Sequence, residues 1–136
     1  MKIFKKVQIY IYKKNENIQY LLLKRSFCLG NYWQGITGKV EKNETFEQAG
    51  IREAYEETGL TIFNKIIGPV SLQNFNKNNK SYQEAVFGIE VQELDVKLSL
   101  EHTEYCWLKY EEAYEMLYWD ENKKGLLKLK EKLLSL

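Results

Sequence analysis

The sequence predicts a single α/β domain spanning residues 1–136. Three observations carry that prediction. Extended stretches of alternating or continuous apolar character fill most of residues 3–25 and 61–91. A helix with end signals on both sides sits between them, and two more helical stretches follow residue 109. No internal repeat, low-complexity tract or linker divides the chain.

Taken in order, Ile3 to Tyr12 includes a strand with Val7, Ile9 and Ile11 on one face and Gln8, Tyr10 and Tyr12 on the other. KKNEN (13–17) is a turn. Ile18 to Arg25, IQYLLLKR, has the continuous apolar centre of a strand buried on both faces, hairpinned to the first. Residues 26–38, SFCLGNYWQGITG, mix glycine with aromatics, as a packed-down loop or a ligand-lining one does. Thr45 is placed as an N-cap with Gln48 completing a capping box, and Gly59 as the left-handed residue that ends the helix. Ile51, Ala54, Tyr55 and Thr58 are expected to face the sheet. Thr61 to Phe75 and Ser81 to Val91 read as a long hairpin across NKNNK (76–80), with Gly68 and Pro69 marking a bend or an edge. Residues 92–101 form a loop and Glu104 to Leu108 a short strand. Tyr110 to Trp119 is a helix presenting Ala113, Tyr114 and Leu117. After DENKKG, Leu126 to Leu134 is a second helix with a lysine-rich solvent face.

Composition narrows the class. With 44% hydrophobic and 29% charged residues, a net charge of +1 and a pI near 7.7, overall charge singles out neither nucleic acid nor membrane as a partner. No apolar run reaches membrane-span length and the N-terminus lacks a signal peptide's apolar centre, so the expected location is the cytoplasm. Cys28 and Cys106 match no metal or redox spacing and read as reduced core or near-core thiols. The one histidine, His102, excludes a multi-histidine zinc site, and no nucleophile motif supports a Ser-His-Asp triad.

The chemistry concentrates in Gly38 to Leu60, GKVEKNETFEQAGIREAYEETGL. Glu53, Glu56 and Glu57 stand at i, i+3 and i+4, so one helical face carries three carboxylates. Each close like-charged pair opposes the helix by about 0.2–0.5 kcal/mol. A divalent cation that prefers oxygen ligands, magnesium above all, would offset that repulsion.

The spacing of Gly38, Glu44, Arg52, Glu53, Ala54, Glu56, Glu57, Gly59 and Leu60 resembles the Nudix box at every fixed position. Seven exact matches at roughly 7% background each make a chance fit about 10⁻⁸ per start site. The resemblance implies the Nudix fold, a mixed sheet sandwiched between helices, and hydrolysis of a nucleoside diphosphate linked to another group with Mg²⁺, or Mn²⁺ in its place. It implies that Glu53, Glu56 and Glu57 bind metal and that Arg52 orients one of them. Gly38 becomes the turn that lets backbone approach metal and phosphate. Glu53 is the favoured general base, with Glu57 or an external glutamate as alternatives. Glu101, in EHTEYCWL, is the candidate additional ligand or base, with Glu104 its rival. Arg25 is placed as a phosphate contact.

Trp33, Gln34, Thr37 and Gly38 resemble the segment before the box in bacterial dihydroneopterin triphosphate pyrophosphatases, which also hydrolyse dATP. That likeness implies a small-molecule nucleotide or pterin triphosphate as substrate. Gln34 becomes a contact, and Tyr32, Trp33, Phe27 and Tyr82 a stacking surface for a flat ring. The alternatives are another Nudix substrate, such as a diadenosine polyphosphate or an RNA 5′ end, and a non-catalytic nucleotide-binding module. Neither a membrane nor a nucleic-acid partner is expected; a homodimer is compatible with the strands.

Overall fold

The computed structural model describes residues 2–136, and its central element is the strand β1 (Ile3–Lys14). β1 pairs in parallel with β6 (Lys80–Glu90) along one edge, from Ile3 against Ser81 to Tyr12 against Glu90. Its other edge is shared. β2 (Ile18–Arg25) takes Tyr12 to Lys14, and β4 (Ile36–Lys39) takes Lys6 to Ile9, both antiparallel. β3 (Trp33–Gln34) and β7 (His102–Leu108) pair with β2, and β5 (Lys65–Lys77) closes the far edge against β6. One parallel pair among antiparallel ones makes the sheet mixed.

The period of two along β1 explains why helices cover both faces. Val7, Ile9 and Ile11 join Leu23, Ile36 and Phe87 in a cluster that includes Ala49 and Ala54 of α1 (Phe46–Thr58). Tyr10 and Tyr12 point the other way, into a cluster with Tyr20, Leu22, Ala113 of α2 (Tyr110–Met116), and Leu126 and Leu129 of α3 (Asp120–Leu134). The result is helix, sheet, helix. Among the described residues, no helix is long and apolar enough to cross a membrane.

Several local expectations hold. Thr45 and Gln48 exchange capping hydrogen bonds of 2.9 and 3.0 Å, and Gly59 ends α1 at φ 79°. Asn78 and Asn79, at φ 52° and 62°, make the two-residue turn whose twist suits a hairpin. The register of β5 on β6 shifts between Ile67 and Ser71, around Gly68 and Pro69, on the edge strand.

Others do not. Tyr55 is 57% exposed and Ile51 half-buried, while Ala49, Gly50, Ala54, Glu57 and Thr58 form the buried side of α1. The core face is therefore rotated toward the acids, and small residues rather than Tyr55 meet the sheet. Residues 61–64 precede β5 as loop instead of opening it. α2 stops at Met116, and Leu117 forms an isolated bridge with Trp33. DENKKG is the first part of α3 rather than a loop. Asp120 and Glu121 suit its positive N-terminal end, and Gly125 lies on its packed side, where a Cβ would stand 2.1 Å from Gln8 Oε1. Cys106 is half-buried, but Cys28 is exposed.

Candidate active site

The acids of α1 fall into two groups held by different partners. Arg52 organises the first. Its Nε and Nη2 donate to both oxygens of Glu44, at 2.6 and 3.0 Å. Its Nη1 donates to Glu53 at 2.8 Å and Glu56 at 3.0 Å, and Nη2 also reaches the Lys39 carbonyl oxygen at 2.8 Å. A planar guanidinium does this where an ammonium would not, because its donors leave in fixed, separate directions. The Arg52 hydrogen bond holds the Glu44 carboxyl below its ordinary range. Glu53 moves the other way, since burial outweighs its bond to Arg52.

Glu57 makes the second group. It faces inward, where His102 Nδ1 stands 2.6 Å from its Oε2 and Ser99 Oγ donates to the same oxygen at 3.1 Å. The Glu101 carboxyl also hydrogen-bonds it, which raises Glu101. Burial alone would push Glu57 up; the hydrogen bonds from His102, Glu101 and Ser99 together leave it lowered. On the far side of the ring, His102 Nε2 lies 3.2 Å from the Gln34 amide nitrogen. An amide nitrogen only donates, so Nε2 accepts and the ring proton sits on Nδ1, toward Glu57.

Gln34 leads outward to a polar cavity of about 170 Å³. Lys6, Arg25, Lys77, Tyr32, Trp119 and Glu84 line it with Gln34. The Lys77 ammonium rests 3.3 Å from the Trp119 ring centre, and Tyr32 packs edge-on to that ring. Glu84 is buried and accepts from Gln8 Nε2 at 2.8 Å; burial raises its carboxyl. A larger hollow of about 370 Å³, lined by Ile3, Phe75 and Tyr82 among others, contains none of the box acids. The smaller cavity is linked to Glu57 through Gln34 and His102, while a separate hollow beside Lys39 and Val40 reaches Glu44.

The residues expected to bind substrate are thus divided. Arg25, Tyr32 and Gln34 share the polar cavity. Trp33 packs against the tyrosine–leucine cluster. Phe27 is 84% exposed on a 3-10 turn, and Tyr82 stacks on Phe75 in the larger hollow. The four aromatics do not make one surface. Glu104 points outward to an ion pair with Lys24 at 3.5 Å, so of the two loop acids Glu101 is the one beside Glu57. Gly38 lies inside β4, opposite Val7, and not in a turn; what it supplies is room, because a Cβ there would stand 2.1 Å from Glu53 Cδ. His102, Ser99, Lys6, Lys77 and Trp119 were not foreseen as site residues. The one usable signal was a lone histidine directly after Glu101.

A hard divalent cation fits this donor set. Glu53, Glu56, Glu57 and Glu101 offer only oxygen, and the bare Cα of Gly38 leaves the Glu53 carboxylate its clearance. Among the described residues, no three ligand-type side chains converge on one point as they stand. Glu53 and Glu56 turn to Arg52, and Glu57 to His102.

A family model for the NUDIX domain matches residues 4–129. The dihydroneopterin triphosphate diphosphatase of Haemophilus influenzae is 28% identical over 135 residues, aligning 90% of this chain with 84% of that protein. The asymmetrical bis(5′-nucleosyl)-tetraphosphatase of Rattus norvegicus is 30% identical over 120 residues, 82% of this chain and 78% of that one. The crystal structure of a C. elegans Ap4A hydrolase binary complex superposes with a TM-score of 0.86 at 26% identity, covering 98% of this chain and 100% of that chain.

Fold and site together define the class, a mixed-sheet α/β protein presenting clamped carboxylates from one capped helix. The chain belongs to the Nudix family. It is a hydrolase acting on phosphoric anhydride bonds.

Proposed function

We propose that this chain is a single-domain, Mg²⁺-dependent pyrophosphohydrolase that cleaves a nucleoside or pterin triphosphate to the monophosphate and pyrophosphate. The observation that carries the reading is the polar cavity that Gln34 and His102 link to Glu57. Its size suits one flat ring, Tyr32 and Trp119 give it aromatic walls, and Lys6, Arg25 and Lys77 outnumber Glu84 and Glu121 on its lining, leaving positive charge for phosphate. The likeness to the dihydroneopterin triphosphate diphosphatase points the same way.

In this reading Glu53, Glu56 and Glu57, with Glu101, hold the cation. When bound, it neutralises the diphosphate oxygens and lowers the pKa of attacking water, an effect worth several kcal/mol. Glu53 takes the proton from that water. Arg52 keeps Glu53 and Glu56 oriented, and Arg25 and Lys77 hold the phosphate chain. A cytoplasmic location goes with the unpaired Cys28 and Cys106.

A second reading, a dinucleoside tetraphosphate as substrate, draws on the rat relative and the C. elegans neighbour. One panel separates them: dATP, other nucleoside triphosphates, dihydroneopterin triphosphate, ADP-ribose and diadenosine tetraphosphate, each with Mg²⁺ or Mn²⁺. The reading predicts pyrophosphate release with highest kcat/KM on a triphosphate. Preference for the tetraphosphate favours the second reading, and no turnover at all favours a binding module.

A further inference from the structure

We propose that His102 is a positioning residue for the hydrolysis: it fixes the Glu57 carboxylate and ties it, through Gln34, to the wall of the substrate cavity. This rests on the reading in which Glu57 helps hold the divalent cation.

Burial makes the argument. The side chains of Glu57 and His102 are 6% and 2% exposed, so water cannot replace their partners. A carboxylate that deep requires donors. Arg52 donates to Glu44, Glu53 and Glu56, whereas the bonds to Glu57 come from His102, Ser99 and Glu101. His102 is the most enclosed of these and has a polar neighbour at each ring nitrogen. Its ring nitrogens meet polar atoms of α1 and β3, elements that lie more than forty residues before it in the chain. A histidine present only for bulk has no need of either bond.

Two consequences follow. With Gln34 donating to Nε2, the ring proton sits on Nδ1, which stands 2.6 Å from Glu57 Oε2 in a close but bent contact that limits how far the carboxylate can turn. Gln34 also lines the cavity with Arg25, Lys77 and Trp119. A ligand that shifts the Gln34 amide therefore acts on the acceptor side of His102, and through the ring on Glu57. The acid set and the specificity pocket meet at one imidazole.

The two bonds separate by substitution. His102→Asn puts an amide nitrogen near the place of Nδ1, keeping the donor to Glu57 and losing the link to Gln34. His102→Gln reaches the place of Nε2, keeping the link to Gln34 and losing the donor to Glu57. Each is measured for thermal midpoint without metal, for Mn²⁺ affinity by EPR of free Mn²⁺, and for kcat and KM. The expected Mn²⁺ affinity is near wild type in His102→Asn, with KM raised severalfold. In His102→Gln it falls roughly 10–100-fold, and kcat falls with it.

As the chain's one histidine, His102 also gives a single set of imidazole ¹⁵N signals in untagged protein. In mildly alkaline buffer these should show the Nδ1-protonated tautomer. An Nε2-protonated ring, or equal Mn²⁺ affinity in the Asn and Gln variants, would overturn the proposal. So would losses that only follow the thermal midpoint. Wild-type protein that binds no Mn²⁺ overturns the cation reading itself, and the proposal with it.

Discussion

Arg52 and His102 hold acids of the same helix under opposite conditions. Arg52 is 23% exposed and clamps four neighbours within residues 39–56. His102 is nearly sealed and reaches Glu57 from a strand that begins more than forty residues later. The Arg52 pairs to Glu44 and Glu53 are part-buried and only the pair to Glu56 is exposed, but all three acids share one guanidinium whose donors can pass from one to another. A buried carboxylate deprived of its donor bears the full desolvation penalty of an unsatisfied group. In the proposed function this difference makes Glu53 and Glu56 the acids that reorganise and Glu57 the fixed one.

The largest expected effect is on the reorganising acids themselves. Glu53→Gln should lower kcat roughly 10³-fold with an unchanged thermal midpoint, as checked by steady-state kinetics and calorimetry; an intact kcat would move the base to Glu57 or Glu101. Gly38→Ala comes next. Its Cβ would overlap Glu53, so turnover should fall by about 10²-fold, with a stability loss of about 1–3 kcal/mol measured in urea. Arg52→Lys keeps the charge and loses the fork. A drop in kcat of roughly tenfold with little change in KM is expected; a larger loss than in His102→Gln would reverse the ranking of the two groups.

The smallest effect lies at Glu84, in the wall of the polar cavity. Burial raises the Glu84 carboxyl, so its neutral form suits the fold. That contribution is complete below the unfolded carboxyl range and is lost as pH rises through the folded value. Glu84→Gln should therefore raise the urea midpoint at about pH 8 and leave it nearly unchanged at about pH 4. A fall at pH 8 would show that Lys6 and Gln8 compensate the charge fully.

The contrast between the two groups also explains what the sequence could tell. Glu53, Glu56 and Arg52 are neighbours along one helix, so their spacing already contained their geometry. The capping box at Thr45, the αL residue Gly59 and the strands built on Val7, Ile9 and Leu21 were legible for the same reason: each is set by short-range pattern. The burial of Glu57 was not, because β7 and the loop at Ser99 create it from across the fold. Tyr55 was misplaced since helical spacing alone cannot distinguish a face lined by Ala49, Gly50 and Ala54 from one lined by larger residues. The aromatics Phe27, Trp33 and Tyr82 were grouped by type, but strand parity and the 3-10 turn send them to different surfaces.

The most direct test of the whole account is pyrophosphate release from a triphosphate substrate with Mg²⁺, measured in wild type and in Glu57→Gln side by side. The account predicts one pyrophosphate per monophosphate formed by the wild type, turnover that disappears when Mg²⁺ is chelated, and a folded Glu57→Gln protein with kcat down roughly 10³-fold. Orthophosphate as the product, or a Glu57→Gln enzyme as fast as wild type, would contradict it.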